Sequence, residues 1–256
     1  MKVGLIGKGA IARYVADALA ARGHELSAVL VRPDRTARSL HVSTVEALPD
    51  DLDLMIECAG HEALRTYGPQ ILARGLSLIT VSIGALANAG TEAALHDAAR
   101  AGAAKLHLAS GAIGALDCLA AARVGTLTAV TYTGRKPPLG WKGSPADTRF
   151  DLEDLTRGAH VHFEGSAREA AMAYPKNANV AAAVALAGLG FDDTKVRLIA
   201  DAEVSQNVHE VTAEGDFGQL QFQISGNALP ENPRSSALAA MSVLSKLDQL
   251  SARVAL

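Results

Sequence analysis

Lys2-Val3-Gly4-Leu5-Ile6-Gly7-Lys8-Gly9-Ala10-Ile11-Ala12 decides the fold class of this chain. Five residues of buried-strand character run into G-x-G-x-x-A. Helical spacing follows from Ile11 to Ala21, with Ile11, Val15, Ala18 and Leu19 on one face and Gly23 as the stop. A strand, a glycine turn and a helix in that order suit a dinucleotide pyrophosphate. Gly7 permits the tight turn, Gly9 lets the backbone approach the phosphates, and Ala12 lets the helix pack closely on the strand. The helix N-terminus then offers unpaired N–H groups and a partial positive charge. Gly7, Gly9, Ala10 and Ile11 are therefore expected to contact the cofactor.

The same rhythm continues downstream. Leu26 to Val31, Leu52 to Cys58, Leu76 to Ile83 and Lys105 to Ala109 read as strands. His61 to Arg74 and Thr91 to Ala101 read as helices, with Gly75 as a C-cap and Thr91 as an N-cap. Alternation of this kind predicts an α/β class with a doubly wound parallel sheet of Rossmann type. Ala59, just past the third strand, joins the expected cofactor contacts. An acid at the tip of the second strand would read the ribose of NAD, but that tip carries Arg32, with Arg35 beyond it. An arginine there suits a 2′-phosphate, so NADP is expected to be accepted alongside NAD.

After about Ala122 the texture changes. Leu127 to Gly134, Val161 to Gly165, Val196 to Ala200, Val208 to Thr212 and Gly218 to Ser225 read as strands around one helix from Asn179 to Leu189. That clustering predicts a smaller α+β domain with a mostly antiparallel sheet covered on one face. Ser235 to Val254 reads as a final helix. The expected organisation is a dinucleotide-binding domain over 1–118, joined by the helix 235–256, and a substrate-binding and dimerisation domain over 119–234.

Composition narrows the classes. The chain has 256 residues, 49% hydrophobic and 4% aromatic, with a formal net charge of -3, so nothing suggests a nucleic-acid reader. No apolar stretch is long enough for a membrane span, and the start does not read as a signal peptide. Cys58 and Cys118 are the only cysteines, which excludes a disulfide framework and fits a reducing cytosol. Both have apolar neighbours and are expected to be buried and inert. A cytoplasmic enzyme or small-molecule binder remains.

Among eight histidines, His24, His41 and His96 read as surface or turn positions, and His61 as a helix start on the surface, with a place near a bound cofactor as the alternative. His107 reads as core, and His160 and His162 share a strand face without an acid or thiol to complete a metal site, so no metal is expected. His209, in Ser205-Gln206-Asn207-Val208-His209, is the candidate catalytic residue. No nucleophile elbow or Walker lysine loop is present.

Several segments in order carry a family resemblance. They are Gly7 to Ala12; Glu57-Cys58-Ala59; Ser110-Gly111-Ala112-Ile113-Gly114-Ala115-Leu116-Asp117; Lys136-Pro137-Pro138; Phe163-Glu164-Gly165-Ser166-Ala167; Tyr174-Pro175-Lys176-Asn177-Ala178-Asn179-Val180-Ala181; Asn207-Val208-His209; and Asn232-Pro233-Arg234-Ser235-Ser236. Together they resemble the L-aspartate dehydrogenases. The resemblance implies NAD(P)-dependent oxidative deamination of L-aspartate to iminoaspartate, and the reverse amination of oxaloacetate with ammonia. The imine hydrolyses to oxaloacetate or feeds NAD biosynthesis. The family's catalytic histidine falls on His209, its cofactor-contacting alanine on Ala112 and its cofactor-contacting asparagine on Asn179. The resemblance also implies a homodimer joined through the substrate-domain sheet.

The substrate amine must be neutral when hydride leaves Cα, and a neutral imidazole at His209 suits that proton. The two substrate carboxylates need cations and donors. Lys136 and the Asn232 to Ser236 segment, polar and turn-bound, are the candidates, with Asn232 and Ser235 named and Asn177 beside them. Asn177 and Asn179 also read as an N-cap pair for the helix they precede. Two alternatives stand beside this reading. One is a dihydrodipicolinate reductase-like or homoserine dehydrogenase-like oxidoreductase; the reductase would be expected to show a basic, histidine-rich catalytic segment, which is not found here. The other is a non-catalytic NADP-binding sensor, which need keep only the glycine loop.

Overall fold

The computed structural model describes residues 1–35, 39–175, 177–230 and 232–254. It divides into two units, Met1–Gly111 with Ala239–Leu256, and Ala112–Leu238. The first boundary falls seven residues before the expected one and the return four residues after it.

The first unit is built on β1 (Lys2–Ile6), α1 (Ala10–Leu19), β2 (Glu25–Leu30), β3 (His41–Val42), β4 (Leu54–Glu57), α2 (His61–Ala73), β5 (Leu78–Thr80), α3 (Ala89–Ala101) and β6 (Leu106–Leu108). Its six strands run in the order β3-β2-β1-β4-β5-β6, all parallel. Strand order reverses outward from β1, which places the glycine turn at the sheet's switch point. Apolar side chains on both faces explain the near-continuous hydrophobic runs. On one face Val3, Leu5, Ala12, Val15 and Leu19 pack with Val243, Leu244 and Leu247 of the last helix. On the other, Ile6, Leu30 and Met55 pack with Leu64, Ile71 and Leu95.

Several sequence expectations need correction here. The strands expected at 52–58 and 76–83 are shorter, and Ile83–Ala87 winds into a 3₁₀ turn after β5. β3 was not foreseen; two residues give no period to read. The cap of α3 is Asn88, whose Oδ1 accepts from Thr91 N at 2.9 Å, so Thr91 sits inside the first turn. His107 is half-exposed, whereas His24 is buried at 9% exposure beside the N-terminal amine.

The second unit holds α4 (Leu116–Ala122), β7 (Leu127–Lys136), β8 (Ala159–Ser166), α5 (Ala167–Ala173), α6 (Asn179–Ala187), β9 (Lys195–Asp201), β10 (Asn207–Gly215), β11 (Gly218–Gly226), β12 (Ala228–Leu229) and β13 (Asn232–Ser236). Its five-stranded sheet has the order β11-β10-β7-β9-β8, with only β7 and β9 parallel. Strict alternation along β7 buries Val130, Tyr132, Gly134 and Lys136. From β10 the same face presents His209, Val211 and Ala213. α5 and α6 pack on the sheet and α4 packs on α6.

The helix expected from Asn179 to Leu189 is only nine residues, ending where Gly188 leaves the helical region. α4 and α5 were missed: each is seven residues, too short to show a helical period. α5 is nonetheless well specified, since Ser166 and Glu169 form a capping box. The final helix, α7 (Ala237–Ser251), starts two residues later than expected, because 232–236 pair as β13 with β12.

Candidate active site

The glycine turn of the first unit opens a cleft of about 730 Å³ lined by Gly7, Lys8, Gly9, Arg13, Arg32, Cys58 and Ala59 among others. Gly7 has φ +97°, and a Cβ there would lie 2.8 Å from the Ala59 Cβ. Gly9 has no atom within 4 Å of its Cβ position, so the backbone is bare towards open space. It caps α1 without a side-chain hydrogen bond, which leaves the first N–H groups, those of Ala10 and Ile11 included, for a ligand. Lys8, Arg13 and Arg32 bring positive charge. A cleft of this size, with bare N–H groups and cations on its wall, fits a dinucleotide pyrophosphate.

Gly7, Gly9, Arg32 and Ala59 thus share one cleft, with Ala10 and Ile11 at the helix start beside it. Arg32 pairs with Asp34 at 4.0 Å, and both side chains are about two-thirds exposed. Such a pair is worth little, so it does not hold the guanidinium away from an anion. The side chain of Arg35 lies outside the described residues.

One organiser of this cleft escaped the sequence reading. Glu57 ends β4 with no solvent exposure. Its Oε1 accepts from Ala59 N at 2.6 Å and Gly60 N at 2.7 Å, and its Oε2 accepts from Thr80 Oγ1 at 2.6 Å. A buried carboxylate with three donors fixes the 58–60 loop that forms the cleft wall. An acid ending an otherwise apolar strand was the available signal. Cys58 beside it is half-buried rather than fully buried, and burial together with the Glu57 charge pushes its thiol pKa up, so it stays un-ionised. Cys118 is exposed, contrary to expectation, because it lies on the outer side of α4.

In the second unit His209 is 4% exposed and lies opposite Gly134 in the β7–β10 register. Its Nδ1 is 2.8 Å from the hydroxyl of Tyr132, itself 1% exposed. A Cβ at position 134 would lie 2.6 Å from that hydroxyl, so Gly134 is the notch that lets the phenol reach the imidazole. Loss of water, then repulsion from Lys136, lowers the His209 pKa to about 4.

Lys136 is not the turn-bound residue expected. It ends β7, 9% exposed, and donates to Asn177 Oδ1 at 2.9 Å. Its ammonium sits 4.8 Å from the centroid of the Trp141 ring. Burial brings its pKa down to about 8. Trp141 in turn packs edge-on to His162 at 4.3 Å and donates to Ile199 O. His162 has no solvent exposure, its Nδ1 lies 3.1 Å from the Tyr174 hydroxyl, and its Nε2 has no partner. It sits at a β-bulge, so His160 and His162 do not share the regular face predicted for them. Among the described residues no group of three His, Cys, Asp or Glu side chains is arranged to hold a metal ion.

The remaining candidates are placed as follows. Asn177 is joined to Lys136, not to a helix end; the N-cap of α6 is Ala178, without a side-chain bond, and Asn179 is the first helical residue. Ala112 is buried at 8% exposure where the second unit begins. Asn232 donates to Ser235 Oγ at 2.9 Å within β13. Lys136, Asn177 and His209 therefore cluster on one face of the five-stranded sheet. Tyr132 and Trp141 were missed because their roles depend on register and on a turn.

Relatives extend this picture over the whole chain. A family model described as "Aspartate dehydrogenase, C-terminal" matches residues 117–250, and one described as "Homoserine dehydrogenase, NAD binding domain" matches residues 7–109. An L-aspartate dehydrogenase of Ruegeria pomeroyi is 54% identical over 260 residues, covering 99% of this chain and 94% of that protein. One of Pseudomonas aeruginosa is 45% identical, covering 96% of each. The crystal structure of an aspartate dehydrogenase from Thermotoga maritima superposes with a TM-score of 0.80 at 27% identity, covering 100% of this chain and 99% of that one. With both sheets matched and identity sustained end to end, this chain belongs to the L-aspartate dehydrogenase family.

Proposed function

We propose that this protein oxidises L-aspartate to iminoaspartate with NAD or NADP, and runs the reverse amination of oxaloacetate. The observation that carries this reading is the buried His209–Tyr132 and Lys136–Asn177 cluster on one sheet face, in a chain whose relatives share its full length. Gly7, Gly9, Ala10, Ile11, Arg32 and Ala59 would hold the dinucleotide, with Ala112 and Asn179 as further contacts. When bound, the nicotinamide supplies the acceptor for the hydride at Cα of the substrate.

The chain's own residues do the rest. Lys136 offers the substrate a polar contact where little water competes for it. Asn177 orients the Lys136 amine, and Asn232 and Ser235 offer donors for a substrate carboxylate. The substrate's α-ammonium must lose a proton before oxidation. His209, neutral at working pH, and Lys136, which loses its proton near pH 8, are the two titratable groups that suit that step. Burial of both excludes bulk water from the proton they handle.

Two finer points belong to the same proposal. The second unit's sheet carries Thr131, Thr133, Glu210 and Gln221 on the face opposite His209. A homodimer through that sheet leaves the His209 face untouched, and sedimentation equilibrium giving twice the chain mass is the expected result. No helix among the described residues is long and apolar enough to cross a membrane. A cytoplasmic place, with iminoaspartate released for hydrolysis or for pyridine nucleotide synthesis, completes the reading.

The test is a substrate panel. Purified protein with NAD or NADP should reduce the cofactor with L-aspartate at least about 100-fold faster than with L-homoserine or L-glutamate, the scale set by buried groups left unpaired. Preference for homoserine would overturn the proposal.

A further inference from the structure

The Tyr132–His209 hydrogen bond has two possible polarities, and burial separates them. Tyr132 has His209 as its hydrogen-bond partner and no other among the described residues. If the hydroxyl donates to Nδ1, both groups are satisfied and the imidazole hydrogen sits on Nε2. If Nδ1–H donates instead, the hydroxyl hydrogen is left inside the protein without an acceptor. A buried orphan donor disfavours that arrangement by roughly 5- to 150-fold. The imidazole therefore rests with a hydrogen on Nε2, the nitrogen without a partner among the described residues, and it presents a donor there instead of a lone pair. Its low pKa keeps it from gaining a second proton near neutrality.

Lys136 has the opposite character. Its one hydrogen-bond partner is the neutral Asn177 amide, and no carboxylate pairs with it among the described residues. The charged and titratable groups around it are His209 from β10 and His162 from β8, with Arg149 acting on His162 in turn. On β9 its strand partner is Ala200, and the neighbouring Asp201 carboxylate is taken by Arg135 at 2.6 Å. Among the described residues nothing anionic holds the ammonium in its charged state, and Trp141 shields one side of it from water.

Resting on the amino-acid dehydrogenase reading above, we propose that Lys136 is the general base of the reaction, and that His209 acts as a hydrogen-bond donor through Nε2–H, positioned by Tyr132 in the Gly134 notch. The proton balance is simple. The lone pair of neutral Lys136 Nζ takes one hydrogen from the substrate's α-ammonium; that N–H bond breaks, an Nζ–H bond forms, and the freed nitrogen lone pair drives oxidation at Cα. His209 donates to a substrate oxygen and is unchanged by the step. Tyr132 touches His209 alone and is a positioning residue.

Two measurements test the assignment. In the ligand-free protein, ¹⁵N resonances of the His209 ring should show a protonated Nε2 and an unprotonated Nδ1, and Tyr132→Phe should lose that single form. A protonated Nδ1 in the wild type would overturn the donor assignment. In turnover, kcat/KM for deamination should fall tenfold per pH unit below about pH 8, where Lys136 of the free enzyme is charged. Lys136→Arg, permanently charged, should lose at least about 100-fold in kcat and the limb with it. His209→Gln, which keeps a donor, should retain that limb and exceed His209→Ala in rate. If Lys136→Arg keeps kcat within a fewfold, or if the limb disappears in His209→Gln, the lysine is not the base. A wild type without aspartate turnover would instead remove the enzymatic reading, and the ring resonances would still report the tautomer.

Discussion

Moving from pH 7 to pH 5 should weaken the second unit by about 4 kcal/mol, half from His162 and half from His209. Both imidazoles are buried, and both have folded-state pKa values lowered to about 4, chiefly by loss of water. In the unfolded chain each titrates near 6.5. Between those values the unfolded chain binds protons that the folded one refuses. Stability from the neutral imidazoles is complete above pH 6.5, is lost progressively towards pH 4, and changes no further below it. At pH 5 the difference is close to 2 kcal/mol for each ring, a large share of the 5–15 kcal/mol typical of a domain. The chain has a single tryptophan, Trp141, 1% exposed and edge-on to His162, so its fluorescence reports unfolding of this unit. Urea titrations followed at Trp141 should show the midpoint falling between pH 7 and 5, and about half that fall should vanish in His162→Phe. Equal stability at the two pH values, or a loss that neither histidine substitution reduces, would refute the burial argument.

Other substitutions probe the remaining groups. Lys136→Met should stabilise the protein at pH 7 by about 3 kcal/mol, because the depressed amine pKa is a cost of charge burial that is complete below pH 8; the gain should shrink as pH rises towards 10.5 in the same denaturation assay. Gly7→Ala forces a Cβ to 2.8 Å from Ala59 at φ +97°, so dinucleotide affinity, read by quenching or transfer of reduced-cofactor fluorescence, should fall at least about tenfold. Arg32→Ala should raise KM for NADP by about tenfold or more and that for NAD by less than about twofold, since only NADP carries the extra phosphate; equal changes would show that Arg32 does not read it.

The parts of this molecule legible in sequence were those fixed by local demands. Gly7 to Ala12 could be read because a phosphate turn constrains each position separately, and the parallel strands because both faces are apolar. His209 was marked by its polar neighbours and by resemblance, and Lys136 was marked by resemblance of its segment, but its setting was misread. Its burial follows from alternation along β7, which carries the strand two residues past the point where turn-forming residues suggested an end. Tyr132 was invisible because its partner is 77 residues away and reachable only across Gly134. The cap of α3 was misassigned by three residues because Asn88 and Thr91 are both good caps, and the geometry chose the asparagine. Short elements such as β3, α4 and α5 offered too few residues for a period to emerge.

The most direct test of the central claim follows one hydrogen atom. With L-aspartate deuterated at Cα and NAD or NADP, mass spectrometry of the reduced cofactor should find one deuterium per molecule formed, with iminoaspartate or oxaloacetate appearing in equal amount. Reduced cofactor without deuterium, or no aspartate-dependent reduction with either dinucleotide, would contradict the account.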